Sequence, residues 1–333
     1  MTRSPLGRKR EGRTLGMQFR MKRAFVFPGQ GSQAVGMGQA LAARFQPARR
    51  LFQEVDDALC QSLSRLMFEG PESDLTLTEN AQPALMATSL AVIRVLEAEG
   101  DFMLGRDIAY VAGHSLGEYS ALAAAGAVDV GDAARLLKIR GQAMQHAVPV
   151  GEGAMAALLG LDVDDAREIA DEAARGQVCA VANDNAPGQV VISGHYDAVE
   201  RAIALSRERG ARRAINLPVS APFHSPLMAP AAEEMRRALH QVALRPPVVP
   251  LVTNISATAV SDPSAIKRGL VGQVTAMVRW RESVMFLEAA GVGEIAEIGP
   301  GRVLTGLIKR IAPELSARSA GTPAEVHSLI EGL

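Results

Sequence analysis

The sequence predicts an α/β protein in which a mainly parallel sheet, wrapped by helices, is interrupted by a smaller βαββαβ unit. Three observations carry that expectation. Short apolar, partly β-branched runs alternate with segments of helical period towards both ends of the chain, the pattern of parallel strands joined by crossover helices. Near residue 150 the order changes to strand, helix, strand, strand, helix, strand, which is that of a ferredoxin-like unit. Gly113-His114-Ser115-Leu116-Gly117 falls where a buried strand should give way to a helix, the position of a nucleophile elbow.

The elements follow in order. Residues 24–27 are a buried strand, ended by Pro28-Gly29; a glycine-rich loop and then a helix reach to about residue 59. Residues 82–98 give a helix, 108–112 a strand and 131–145 a further helix, with Leu136, Leu137, Ile139 and Met144 as its core contacts. The inserted unit reads as strand 154–159, helix 164–174, strand 178–182, strand 189–193, helix 196–209 and strand 212–217. Asn183-Asp184-Asn185-Ala186-Pro187-Gly188 is a run of turn formers suited to the hairpin between its second and third strands. The α/β rhythm then resumes with a helix from Pro226, a strand near 249–252, a helix ending near Met277 and a last strand at 294–298. Thr322-Pro323-Ala324-Glu325 has cap, first-turn proline and N3 glutamate in place for a final helix. The expected organisation is one domain built from residues 21–149 and 222–333, with the smaller unit at 150–221.

Composition narrows the function classes. With 333 residues, 48% of them hydrophobic, the chain can bury a large core, and a formal net charge of −1 argues against nucleic acid or a membrane surface as a partner held by bulk charge. Its two cysteines, Cys60 and Cys179, form no C-x-x-C pair, so neither a disulfide framework nor a metal site is expected, and a reducing, cytoplasmic setting fits. No apolar run reaches the length of a membrane span. Residues 1–20 hold six arginines and lysines against one acid, Glu11, and read as a disordered basic extension or an over-long start, since Met17 and Met21 offer alternative starts; an organelle-targeting segment is the rival reading.

A serine on an elbow needs a base. His224, in Pro222-Phe223-His224-Ser225-Pro226, is held between prolines just ahead of a helix whose positive end disfavours the imidazolium, and Ser225 is placed to cap that helix. A neutral imidazole is what a general base requires; the alternative is a histidine serving only as a loop-to-helix joint. His114 should point away from Ser115 and pack. An oxyanion hole needs two donors. One is the amide of Leu116, next to the serine, and the other is the amide of Gln30 in Pro28-Gly29-Gln30-Gly31-Ser32-Gln33. The same glycines fit G-x-G-x-x-A, but a dinucleotide fold needs a second strand ending in an acid, and the sequence around Glu54 reads as helix. Arg140 is either an exposed helix arginine or a planar clamp for a carboxylate, in which case the acyl group handled at Ser115 is negatively charged. No acid between Ser115 and His224 stands out as a third triad member.

These segments together resemble the malonyl-CoA:acyl carrier protein transacylase family of type II fatty acid synthesis. The resemblance rests on Phe27-Pro28-Gly29-Gln30-Gly31-Ser32-Gln33, Gly113-His114-Ser115-Leu116-Gly117-Glu118-Tyr119-Ser120, Arg140-Gly141, Asn183-Asp184-Asn185, Phe223-His224-Ser225-Pro226 and Glu297-Ile298-Gly299-Pro300-Gly301, in that order, and covers roughly residues 22–333. It implies an α/β-hydrolase-like domain carrying a ferredoxin-like subdomain. It also implies Ser115 as nucleophile, His224 as base and acid, the amides of Gln30 and Leu116 as oxyanion hole, Arg140 on the malonyl carboxylate, and the main-chain carbonyl of Gln273 orienting His224 in place of an acid. Phe223 before the histidine goes with malonyl rather than methylmalonyl. Malonyl-CoA and holo acyl carrier protein are the implied partners, with no cofactor. The other readings are a discrete polyketide-synthase acyltransferase, a serine thioesterase or hydrolase on the same fold, a nicotinamide-dependent oxidoreductase and a non-catalytic carrier-protein docking module.

Overall fold

The structure, a computed structural model, describes residues 21–219 and 221–333. The basic extension expected over residues 1–20 lies outside the described residues.

β1 (Lys22–Phe27) sends Ala24 and Val26 to one face of the main sheet and Phe25 and Phe27 to the other, all buried, as the two-residue period of a strand requires. The helix expected up to residue 59 is two helices, α1 (Gln39–Arg44) and α2 (Gln46–Leu59), divided where Phe45 takes an extended backbone and Pro47 enters the first turn of the second. Two short helices without a predicted counterpart follow, α3 (Leu63–Glu69) and α4 (Glu72–Leu75), each too brief to show periodicity. α5 (Thr78–Glu99) is almost wholly buried; α6 (Leu104–Asp107), β2 (Tyr110–Gly113), α7 (Gly117–Ala124) and α8 (Val130–His146) complete the first half.

The second unit comprises β3 (Gly153–Leu159), α9 (Val163–Ala174), β4 (Cys179–Ala186), β5 (Gln189–His195), α10 (Tyr196–Glu208) and β6 (Arg213–Asn216). Its strands form a separate antiparallel sheet in the order β4-β5-β3-β6, and α9 and α10 bury their apolar faces on it. Asn183, Asp184 and Asn185 are not turn residues: β4 runs through them to Ala186, with register shifts along the way, and the reversal is confined to Pro187-Gly188. The side chains of Asp184 and Asn185 are satisfied by the first unit instead of by the turn, Asp184 pairing with Arg281 at 2.8 Å and Asn185 with His114 at 2.9 Å.

The chain then returns to the main sheet through a 3-10 turn at Pro226–Met228, α11 (Ala229–Gln241), β7 (Leu251–Val252), β8 (Ala259–Val260), α12 (Pro263–Gln273), α13 (Trp280–Ala289), β9 (Val292–Ile298), α14 (Val303–Ile311), β10 (Ser316–Ala320) and α15 (Pro323–Gly332). α12 ends at Gln273, four residues before the expected Met277. The strand at 294–298 is not the last, because Ser316–Ala320 adds a parallel edge strand too polar to be read as one from its sequence. Thr322 and Glu325 form the expected capping box on α15. The main sheet has the order β10-β9-β1-β2-β7-β8 and is parallel except for β8.

Parallel pairing sets the site. Because β1, β2, β7 and β9 run the same way, the loops after Phe27, Gly113, Val252 and Ile298 leave the sheet at one edge, where an open α/β sheet places its ligand crevice.

Candidate active site

Ser115 sits just past the end of β2 with φ of +54°, a left-handed conformation that costs a non-glycine residue of the order of 1 kcal/mol. The flanking glycines make the turn possible. A Cβ on Gly113 would lie 1.9 Å from the carbonyl carbon of Gly117, and one on Gly117 would lie 2.3 Å from the carbonyl oxygen of Phe27 on the neighbouring strand. The elbow is therefore pressed against itself and against β1, and only glycine fits at either place. Asn254, following β7, fixes it from the other side: its Oδ1 accepts from the Ser115 amide at 2.7 Å and its Nδ2 donates to the Gly113 carbonyl at 2.7 Å.

His224 reaches the serine from the segment that leads back out of the second unit. Its Nε2 lies 2.8 Å from Ser115 Oγ and its Nδ1 lies 2.8 Å from the main-chain carbonyl of Gln273. A carbonyl only accepts, so Nδ1 carries the proton and Nε2 presents its lone pair to the hydroxyl. Burial, and after it the charge of Arg140, push the imidazole pKa down to about 3, so the ring is neutral at physiological pH. The neutral form is thus held by desolvation and a neighbouring cation more than by the helix end. Ser225 does not cap the following helix. It is buried, and its Oγ donates to the Pro222 carbonyl at 2.8 Å, tying down the loop that carries His224, which itself has φ of +57°.

Arg140 is 1% exposed and points into the cleft from α8, so it is not a surface arginine. Its guanidinium donates to Gln82 Oε1 at 2.9 Å, to Gln273 Oε1 at 2.8 Å and to Ser115 Oγ at 3.0 Å. It also lies over the ring of Tyr119 at 5.9 Å. Ser115 Oγ can therefore accept from Arg140 while giving its own proton to His224. The cleft has a volume of about 620 Å³, and Gln30, Leu116, Phe223 and residues of β4, β5 and α14 line it, so its walls come from both sheets. Ser115, His224, Arg140, Gln273, Gln30, Leu116 and Phe223, scattered over some 240 positions of sequence, thus meet at one edge of the main sheet. His114 packs on Trp280 and bonds Asn185, joining the elbow to the second sheet.

Three residues that the sequence reading passed over belong to this arrangement: Gln82, Glu118 and Asn254. Each is a polar residue inside or at the end of an apolar run, and that is the signal that marks them. Glu118 is 2% exposed; its Oε1 accepts from the Asn254 amide at 2.7 Å and its Oε2 from Gln273 Nε2. Burial pushes its carboxyl up to about 7, against the pull of those donors and of Arg140. The glycine loop after β1 does not serve a dinucleotide fold, since Glu54 lies within α2 where a second strand would be needed.

One consequence is directly measurable. The Cε1 resonance of His224 in the free protein should show a neutral ring throughout pH 5–8, and a titration midpoint near 6.5 would contradict the site electrostatics. The unfolded chain takes up a proton at this histidine below about 6.5 and the folded one only near 3, so the contribution of His224 to stability is present above about 6.5 and is lost as pH falls towards 3.

Residues 24–324 match the family described as the acyl transferase domain. The chain is 46% identical over 313 residues to the malonyl CoA-acyl carrier protein transacylase of Bacillus subtilis (strain 168), covering 94% of this chain and 97% of that protein. It is also 46% identical to the protein of that name from Escherichia coli (strain K12), over 92% of this chain and 98% of the relative. Among solved structures it superposes on the acyl-carrier-protein-S-malonyltransferase of Bartonella henselae with a TM-score of 0.92 at 54% identity, covering 94% and 99% of the two chains. A malonyl-transacylase solved in complex with a type II PKS acyl-carrier protein gives a TM-score of 0.90 at 44% identity, covering 94% and 100%.

Proposed function

The chain belongs to the malonyl-CoA:acyl carrier protein transacylase family, and from that premise we propose that Ser115 carries the malonyl group from malonyl-CoA to the phosphopantetheine thiol of an acyl carrier protein. It is an acyltransferase. The observation that carries the assignment of residues is the chain of contacts from the Gln273 carbonyl through His224 to Ser115 Oγ, with Arg140 on the same oxygen.

In the first half-reaction His224 Nε2 takes the Ser115 Oγ proton as the oxygen attacks the thioester carbon. The amides of Gln30 and Leu116 stabilise the oxyanion, donors of a kind each worth about 10²- to 10³-fold in rate. The carbon–sulfur bond then breaks, the CoA thiolate takes the proton from His224, and a malonyl-serine ester remains. In the second half the carrier thiol gives its proton to His224 and attacks the ester carbon. Ser115 Oγ leaves and recovers that proton. Arg140 binds the malonyl carboxylate through its two-pronged face, and Phe223 closes the pocket against a branched acyl group.

We read the architecture as an α/β-hydrolase-like domain of residues 21–149 and 222–333 carrying a ferredoxin-like subdomain at 150–221. The 2-3-1-4 order of the four antiparallel strands in chain order supports the second part of that reading. An acidic carrier protein would meet a basic rim formed by the exposed Arg212, Arg213, Lys309 and Arg310; of these, Arg310 bonds Gln189 Oε1, a residue that lines the cleft, and the Pro187 carbonyl.

The experiment that separates a transferase from a hydrolase on the same elbow is the stoichiometry of CoA release. With malonyl-CoA and no acceptor, release should stop at one equivalent per protein and resume when holo carrier protein is added. Continuous release without acceptor would overturn the transferase reading.

A further inference from the structure

Glu118 takes no part in the proton transfers above, yet among the described residues it is a carboxylate buried beside them. Its surroundings are asymmetric in a way that its chemistry explains. An ionised carboxylate only accepts hydrogen bonds, and both of its oxygens are met by N–H donors, the Asn254 amide on Oε1 and Gln273 Nε2 on Oε2. The Gln273 side chain can face its neighbours in two ways, and the two are not equivalent. With Nε2 towards Glu118 and the Ser115 carbonyl, 2.9 Å away, its Oε1 is left facing Arg140 at 2.8 Å. Turned over, it would aim an oxygen at the carboxylate and an amine at the guanidinium, two contacts of like polarity inside a buried site.

We propose that Glu118 is a positioning residue that locks the orientation of the Gln273 side-chain amide and thereby holds Arg140 aimed at the acyl carboxylate. The inference rests on the reading of Arg140 given above. The groups facing Glu118 are Arg140 on α8 and Tyr119 on its own helix as titratable neighbours, with Asn254 and Gln273 as neutral ones. In its ionised form, which N–H donors on both oxygens favour against the upward push of burial, Glu118 also offsets the charge of Arg140. The main-chain carbonyl of Gln273, which receives His224, is fixed by the end of α12 and not by this lock, so acyl recognition should depend on Glu118 more than the proton relay does. Glu118→Gln isolates the lock. Its amide oxygen can still accept from the Asn254 amide, preserving the brace on the elbow, while its nitrogen confronts Gln273 Nε2 and favours the turned-over amide.

The test is equilibrium binding in a Ser115→Ala background, where no ester can form. Affinities for malonyl-CoA and for CoA itself are measured with and without Glu118→Gln, each protein being checked for a cooperative melt. The expected result is that Glu118→Gln weakens malonyl-CoA by about tenfold and leaves CoA within about twofold. A preference for malonyl-CoA that survives the substitution, or an equal loss for both ligands, would overturn the inference and leave the reading of Arg140 standing. Equal affinity for the two ligands in the parent protein would remove the reading of Arg140 and the inference with it. If Glu118→Gln does not fold, Gln273→Leu decides, since it keeps the main-chain carbonyl and removes the amide. The same selective loss is expected, and undiminished preference for malonyl-CoA would refute the lock.

Discussion

Ser115→Ala should abolish the malonyl-enzyme and lower transfer to the carrier protein by about 10⁴-fold or more, the range found when the nucleophile of a serine–base pair is removed. The loss should fall on kcat, because Arg140, the proposed partner of the acyl carboxylate, keeps its bonds to Gln82 and Gln273 when the one to the Ser115 hydroxyl is removed. The fold should survive. The left-handed backbone at residue 115 is enforced by the clash-limited glycines at 113 and 117 and by the two bonds from Asn254, none of which involves Oγ. Retention of transfer by a well-folded Ser115→Ala protein would mean that the acyl group passes directly between thiols and that the elbow only binds. The measurement is the initial rate of malonyl transfer to holo carrier protein beside a melting curve.

Arg140→Ala should have the second largest effect, and one confined to charged acyl groups. Truncating one partner of a desolvated, hydrogen-bonded charge pair costs about 2–5 kcal/mol, which corresponds to a fall of about 30- to 5,000-fold in kcat/KM for malonyl-CoA. Acetyl-CoA has no carboxylate to lose a partner, so its turnover should change by less than about threefold and the preference between the two should narrow or reverse. Two secondary effects follow from the same contacts. Arg140 helps to hold the His224 imidazole neutral and to pull the Glu118 carboxyl down, so in its absence the histidine pKa should rise towards its ordinary value and that of the glutamate should rise further. A hydrolase acting on neutral acyl groups would show no such selectivity.

Much of this arrangement is legible in the sequence because its parts are local. G-x-S-x-G records a backbone contact between residues four apart, and the structure gives the reason for both glycines in the 1.9 Å and 2.3 Å approaches. The alternation in residues 24–27 and the capping box at Thr322 are likewise written in neighbouring residues. What the sequence hides is either polar or long-range. β10, Ser316-Ala317-Arg318-Ser319-Ala320, is an edge strand whose pairing with β9 comes from the sheet and not from its own composition. Asn183, Asp184 and Asn185 have turn chemistry, but Asp184 and Asn185 find partners in Arg281 and His114 across the two sheets, and that tertiary satisfaction overrides their local preference. Arg140 could not be told from a surface arginine until α5 and α12 brought Gln82 and Gln273 to it. Ser225 has the residue type and place of a cap, yet its hydroxyl is spent on the Pro222 carbonyl. Glu118 is an acid in an apolar helix to which the sequence reading assigns no role, and only the fold gives it partners.

The proposed transfer requires a covalent intermediate at one oxygen. The most direct measurement is intact-mass analysis, with peptide mapping, of the protein mixed with malonyl-CoA and then chased with holo carrier protein. The expected result is a single malonyl addition mapped to Ser115, absent in Ser115→Ala and discharged by the chase with malonyl appearing on the carrier thiol. Carrier protein that becomes malonylated while the enzyme never gains mass, or an adduct mapped to another residue, would contradict it.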